Sequence, residues 1–66
     1  MEREKVKKTL IDALKNVSKD RDFLLAVINH VKKDEDRLKL AEHIKNNPGI
    51  SYEEILLISL EIYEKQ

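Results

Sequence analysis

The side chains best suited to chemistry near neutral pH are two histidines, His30 and His43. His30 precedes Asp34 by four residues, the spacing at which two side chains meet on one face of a helix. Glu42 adjoins His43, but successive residues of a helix point in different directions. Because a zinc or catalytic site needs about three convergent groups, we expect surface or boundary histidines. A small enzyme or metal protein that uses both histidines is a separate hypothesis, which the residues favour least.

The remaining chemical groups match no catalytic or metal motif. The acidic run 34–36 lacks the alternating ligands and central glycine of an EF-hand loop, and it fits a helix start, where carboxylates are favoured. A glycine-rich phosphate loop is excluded because Gly49 is the only glycine. The hydroxyls fit structural positions: Ser18 and Ser51 as helix caps, Thr9 and Ser59 in mid-helix with no histidine or lysine at a fixed nearby spacing. We therefore expect no enzyme, no metal and no cofactor.

The length of the chain, 66 residues, allows one domain, residues 1–66. A domain of this size buries only roughly 60% of the surface that its unfolded chain exposes, so its core is marginal. Small domains often add a disulfide, a metal or a second subunit. Since the sequence has no cysteine, disulfides and thiolate sites are excluded, and oligomerisation or docking on a partner remains.

The composition favours long helices in a folded, cytoplasmic protein. Apolar residues make up 41% of the chain, too many for a disordered protein, and there is one Gly and one Pro to interrupt helices. No apolar run approaches the roughly 18 residues of a membrane span, and no apolar segment of a signal peptide follows residues 1–5. The abundance of Lys, Ile, Glu and Asn suits an AT-rich bacterial, phage or archaeal genome.

Apolar spacing predicts a compact all-α domain of four helices with short connections, at about 3–17, 20–33, 35–46 and 52–65. The first has one apolar stripe, and the third has a broken stripe. The second is apolar on nearly every side between Phe23 and Ile28, so we expect it at the centre of the fold. The stripe residues are Val6, Leu10, Ala13, Leu14 and Val17 in the first helix and Leu38, Leu40, Ala41 and Ile44 in the third.

Helix boundaries are marked by capping residues. Ser18 or Asp20 is expected to cap helix 2, and Asp34 to cap helix 3. The run 46–49, Asn-Asn-Pro-Gly, ends helix 3, with asparagine suited to the left-handed conformation. Ser51 and Glu54 form a capping box for helix 4, and the flanking Ile50 and Ile55 form a hydrophobic staple.

Helix 4 carries more apolar surface than one packing face can cover. Ile55, Ile58 and Ile62 form one ridge. A second ridge lies about 90° around the helix axis and consists of Tyr52, Leu56, Leu60 and Tyr63, while Leu57 points to a third side. Such exposed apolar surface usually marks a protein interface. We therefore predict a non-catalytic regulator, inhibitor or adaptor, acting as a homodimer or by docking on a protein partner. The predicted interface residues are Tyr52, Leu56, Leu57, Leu60 and Tyr63.

An alternative function is nucleic-acid binding. The segment 41–55 resembles the first helix, the turn and the start of the second helix of winged helix-turn-helix regulators. The resemblance implies DNA binding, although that family continues with a polar or basic recognition helix and this chain continues with the apolar and acidic segment 56–63. Helix 1 is the basic element, and its candidate phosphate contacts are Lys5, Lys8 and Lys15.

Charge is segregated along a chain whose formal net charge is zero. Residues 1–21 contain seven basic and four acidic side chains, a balance of +3, whereas residues 50–66 contain one and four, a balance of −3. A basic first helix and an acidic last helix attract each other within one chain or between two copies. Solvated faces of mixed charge explain the same pattern.

Overall fold

Four α-helices account for most of residues 3–65, the part of the chain that the computed structural model describes. They are α1 Arg3–Lys15, α2 Arg21–His30, α3 Asp34–Asn46 and α4 Tyr52–Glu64, and this part of the chain contains no strand. The radius of gyration, 10.5 Å, is close to the roughly 11 Å expected of a folded chain of this length. The predicted all-α fold with four helices and short connections is confirmed.

The helices pack in the spatial order α3, α1, α2, α4. α1 lies mainly against α3 and also contacts α2, whereas α4 packs chiefly on α2. Side chains from all four helices form one core cluster, joined by Val31 and Ile50 from the connections. Because α4 stands at the end of this series, only one neighbouring helix covers it extensively.

The faces of α1 and α3 follow the predicted stripes. Val6, Leu10 and Leu14 of α1 are buried at four-residue spacing. Fully burying an aliphatic side chain of this size contributes about 1.5–3 kcal/mol. α1 ends at Lys15, two residues earlier than predicted, because residues 16–17 form a turn. In α3 the buried residues are Leu40, Ala41 and Ile44, with Leu38 half-buried.

α2 ends at His30, three residues before the predicted end, because a side chain of α3 hydrogen-bonds to the carbonyls at its C-terminus. Arg37 donates from Nε to the Val31 carbonyl at 2.7 Å and from its second terminal nitrogen to the Ile28 carbonyl at 3.3 Å. Carbonyls at a helix C-terminus lack partners within the helix, and a guanidinium matches both their geometry and the negative end of the dipole. Val31 therefore leaves the helix with extended backbone while its side chain stays fully buried.

Replacing Arg37 by methionine should lower the free energy of unfolding by about 1.5–3 kcal/mol, because two carbonyls lose a charged hydrogen-bond donor. Urea denaturation followed by circular dichroism measures the change. Lys39→Met is the matched control: its ion pair with Glu35 at 3.3 Å is exposed, and its loss should cost less than about 1 kcal/mol. Equal effects of the two substitutions would contradict the capping role of Arg37.

Two of the four predicted caps form, and of the Ser51–Glu54 capping box the serine half is present. Asp20 caps α2, its side chain accepting from the Asp22 amide at 3.1 Å, while Ser18 accepts from the Asp20 amide outside the helix. Ser51 caps α4, its Oγ accepting from the Glu54 amide at 3.3 Å. Ile50 and Ile55 are both buried, as the hydrophobic staple requires.

The other two predicted caps, at the two ends of α3, differ from the prediction. Asp34 is its first helical residue, and Lys33 occupies the cap position without a side-chain hydrogen bond. At the other end Asn47 has φ −129°, not the left-handed conformation expected of an asparagine there. Its side-chain amide instead donates to the His43 carbonyl at 2.8 Å, which satisfies one of the terminal carbonyls.

Ser51→Ala should lower the free energy of unfolding by about 0.5–2 kcal/mol, because the first turn of α4 loses its side-chain acceptor. Thermal or urea denaturation checks this value. Ser18→Ala is the control, since Ser18 bonds an amide that precedes α2 and leaves the cap of that helix in place. If both serines proved equally dispensable, the cap would contribute nothing to α4.

Candidate functional site

The inward side of α4 is narrow and centres on two residues one turn apart, Ile55 and Ser59, both with 0% of their surface exposed. Ile58 and Ile62 are half-buried and pack against the core on one side of this line. The predicted isoleucine ridge is thus the side that faces the domain. Leu56 flanks the line on the other side.

Three contacts between side chains join α4 to α2. At the start of both helices, the rings of Tyr52 and Phe23 meet edge to face, with centroids 6.1 Å apart. At the end of both, the Tyr63 ring lies 5.3 Å from that of His30. His30 Nδ1 also lies 3.4 Å from Ser59 Oγ. Since start meets start and end meets end, the two helices run in the same general direction.

The pairing of His30 with Ser59 is structural. Ser59 Oγ donates to the Leu56 carbonyl at 2.8 Å, so its single proton is already engaged. The hydroxyl is fully buried, and no carboxylate within residues 3–65 accepts a hydrogen bond from the imidazole. The possible pairing of His30 with Asp34 is not formed, because the ring turns toward α4. Sequence spacing missed the contact with Ser59 because 29 residues separate the two partners.

A small side chain at position 59 lets α4 approach α2 closely. Ser59→Leu should lower the free energy of unfolding by about 1–3 kcal/mol, because added methylenes overpack a fully buried position. Ser59→Ala should stay within about 1 kcal/mol of the wild type, since alanine fits and has a better helix propensity. Urea denaturation of both variants tests this, and a tolerated leucine would contradict the close approach.

Four large apolar residues of α4 remain exposed: Tyr52 by 49%, Leu57 by 62%, Leu60 by 41% and Tyr63 by 51%. The fifth predicted interface residue, Leu56, is half-buried and packs against the core, so it belongs to the edge of the packing face rather than to the exposed surface. Leu25 of α2 is 49% exposed, although it belongs to the segment 23–28 that the sequence places at the centre of the fold.

Leu57, Leu60 and Tyr63 follow one another at three-residue spacing and form a row inclined to the helix axis, here called the α4 ridge. The exposed glutamates of the helix all border it. Each lies three or four residues from Leu57 or Leu60, the spacing of neighbours on a helix surface. These glutamates are Glu53, Glu54, Glu61 and Glu64.

The acidic residues are unevenly matched to the helix dipole. Glu53 and Glu54 lie in the first turn, where negative charge is stabilising. Glu61 and Glu64 lie near the C-terminus, where each costs about 0.3–1 kcal/mol at low ionic strength, and the last turn has no basic residue. Among the side chains of residues 4–65 the one ion pair joins Glu35 and Lys39, so none of the four glutamates has a cation from this range at pairing distance.

The lysines of the nucleic-acid alternative, Lys5, Lys8 and Lys15, are exposed on α1. Asp12 is exposed on the same outward side, within four residues of two of them. The helices that resemble a helix-turn-helix unit, α3 and α4, make little contact with each other, since α3 packs on α1 and α4 on α2. In the described part of the chain, α1 and α4 likewise form no extensive contact.

The other candidate chemical groups do not converge. Asp34 and Asp36 are half-buried, while Glu35 points outward to Lys39. His43 is exposed and lies near Asn47. Among residues 3–65 no three His, Asp or Glu side chains lie close enough together to hold a metal ion.

An open groove of about 1030 Å³ lies between α1 and α3. Residue spacing cannot predict this groove, because it depends on how the two helices pair. Its polar lining mixes both charges and amides. The polar residues are Thr9, Asp12, Asn16, Glu42, Lys45 and Asn46.

No protein-family model matches the chain, and no curated protein or solved structure is significantly similar to it. Among the described helices, none combines the length and the apolar character needed to cross a membrane. The chemistry of the exposed residues is therefore the basis for a functional proposal.

Proposed function

We propose that this chain is a small, non-catalytic, cytoplasmic protein-interaction domain, a regulator, inhibitor or adaptor that acts through the exposed apolar face of α4. The observation that carries the proposal is the exposure of Leu57, Leu60 and Tyr63 in one line, together with Tyr52. Contiguous exposed apolar residues usually mark a binding surface, whereas isolated ones are normal. Tyrosine is also enriched among residues that dominate binding energy.

The packing of the tyrosines supports a binding role. Tyr52 and Tyr63 each rest one side of the ring on α2, against Phe23 and His30, and expose about half of their surface. Rings held in place before binding lose less conformational freedom when a partner docks. The exposed face of α4 thus combines the apolar area of the α4 ridge, which includes Tyr63, with a second positioned tyrosine, Tyr52.

Two modes of binding are open to this face, self-association and docking on another protein. Nucleic-acid binding through Lys5, Lys8 and Lys15 is a weaker proposal, since Asp12 interrupts the basic surface. Such binding would weaken steeply with salt, and a gel shift at low salt would reveal it.

A photo-cross-linking amino acid at position 57 should capture a protein in cells that produce the chain, because Leu57 is the most exposed apolar residue of the ridge. The same group at position 25 is the control, since Leu25 is also exposed but lies on α2. Adducts are separated by electrophoresis and identified by mass spectrometry. Equal adducts from both positions, or none from position 57, would contradict a binding role for α4.

A further inference from the structure

We infer that the α4 ridge binds a basic amphipathic helix of a partner protein, an inference that rests on the function proposed above. An amphipathic helix lays its apolar side on a complementary surface through anchors three or four residues apart. Leu57, Leu60 and Tyr63 present apolar contacts at that same spacing. The residues around these contacts determine which kind of helix is accepted.

The charges around the ridge select a basic partner. Every glutamate of α4 borders Leu57 or Leu60, and none has a cation at pairing distance among the side chains of residues 4–65. A docked helix with lysine or arginine on both sides of its apolar stripe places those cations opposite the glutamates. Complementary charge of this kind fixes register and excludes partners of the wrong sign.

The position of two of these glutamates in the C-terminal part of α4 strengthens this argument. Glu61 and Glu64 oppose the helix dipole, and Lys65 at the C-cap is the one basic residue at this end of the helix in the described part of the chain. Cations from a bound helix would neutralise the charge that the free protein carries at an unfavourable place. Acidic residues kept there suit a surface that is completed by an external basic group.

A second copy of the chain fits this surface less well. Pairing α4 with α4 brings the glutamates of both copies together, with Lys65 as the one basic side chain at the described end of each helix. The outward side of α1 offers Lys5, Lys8 and Lys15, but no exposed large apolar residue to cover the ridge. A partner helix that combines both properties matches the charge and the apolar line.

The test uses the full chain labelled with ¹⁵N and three synthetic helices of about 18 residues, a length that sustains a helix. All three share one leucine stripe, which is flanked by lysine, by glutamine or by glutamate. The lysine peptide should shift the amide signals of Leu57 and Leu60 and bind at least about tenfold more tightly than the glutamine peptide. That preference should shrink toward about 1 M salt.

Paired substitutions locate the site. Leu57→Ser should weaken the lysine peptide by at least about tenfold, whereas Leu25→Ser, at an exposed leucine of α2, should leave its affinity unchanged. Glu64→Lys should weaken the peptide and raise the melting temperature of the free protein, because it reverses an unfavourable charge. Glu42→Lys, exposed near the C-terminal end of α3, is the matched charge reversal and should leave the affinity unchanged.

The outcomes separate this inference from the proposed function. Equal affinity for all three peptides would overturn the basic partner and leave an apolar docking face. A dimer seen by light scattering, with α4 protected and no peptide binding, would identify a second copy as the occupant. If no peptide binds a monomer, cross-linking at position 57 decides: an adduct there overturns the basic helix alone, and no adduct overturns the proposed function as well.

Discussion

Four helices of 13, 10, 13 and 13 residues must cover one another's apolar sides. Their packing order influences how much of the apolar surface of each helix is buried. α1 has two neighbours, and its stripe is buried almost completely. α2 also has two neighbours, yet Leu25 still reaches solvent. α4 packs chiefly on α2 and has apolar residues on more than one side. The exposed ridge follows from this order combined with the many apolar residues of α4, since α3 also stands at an end and has no large exposed apolar residue.

Features that depend on local spacing could be predicted from the sequence, and features that depend on distant residues could not. The stripe of α1 and the Ser51 cap involve residues within one helix or one turn. The end of α2 depends on Arg37, which reaches back from the next helix. Which side of α4 faces inward depends on the angle between α4 and α2. Residue spacing within α4 does not contain that angle, so it predicts an exposed Leu56, whereas Leu56 lies at the edge of the core.

At the C-terminal end of α4, the charge that would stabilise the free domain is opposite in sign to the charge that the chain carries and that would suit a basic partner. Basic residues in the last turn would suit the dipole, yet the chain carries Glu61 and Glu64 there. Stability and function commonly oppose each other at residues of this kind. In a domain with a marginal core, each such residue is a measurable fraction of the total free energy of unfolding.

The contacts between α2 and α4 also determine how the molecule can be observed. The chain has two tyrosines and no tryptophan, and both tyrosines lie on α4, one at each end of its contact with α2. The tyrosine fluorescence of the protein therefore arises from α4 alone. Tyr63 lies against an imidazole and Tyr52 against an apolar ring, so the two emitters have different surroundings. The domain thus contains its own optical reporter for the separation of α4 from α2, with no label added.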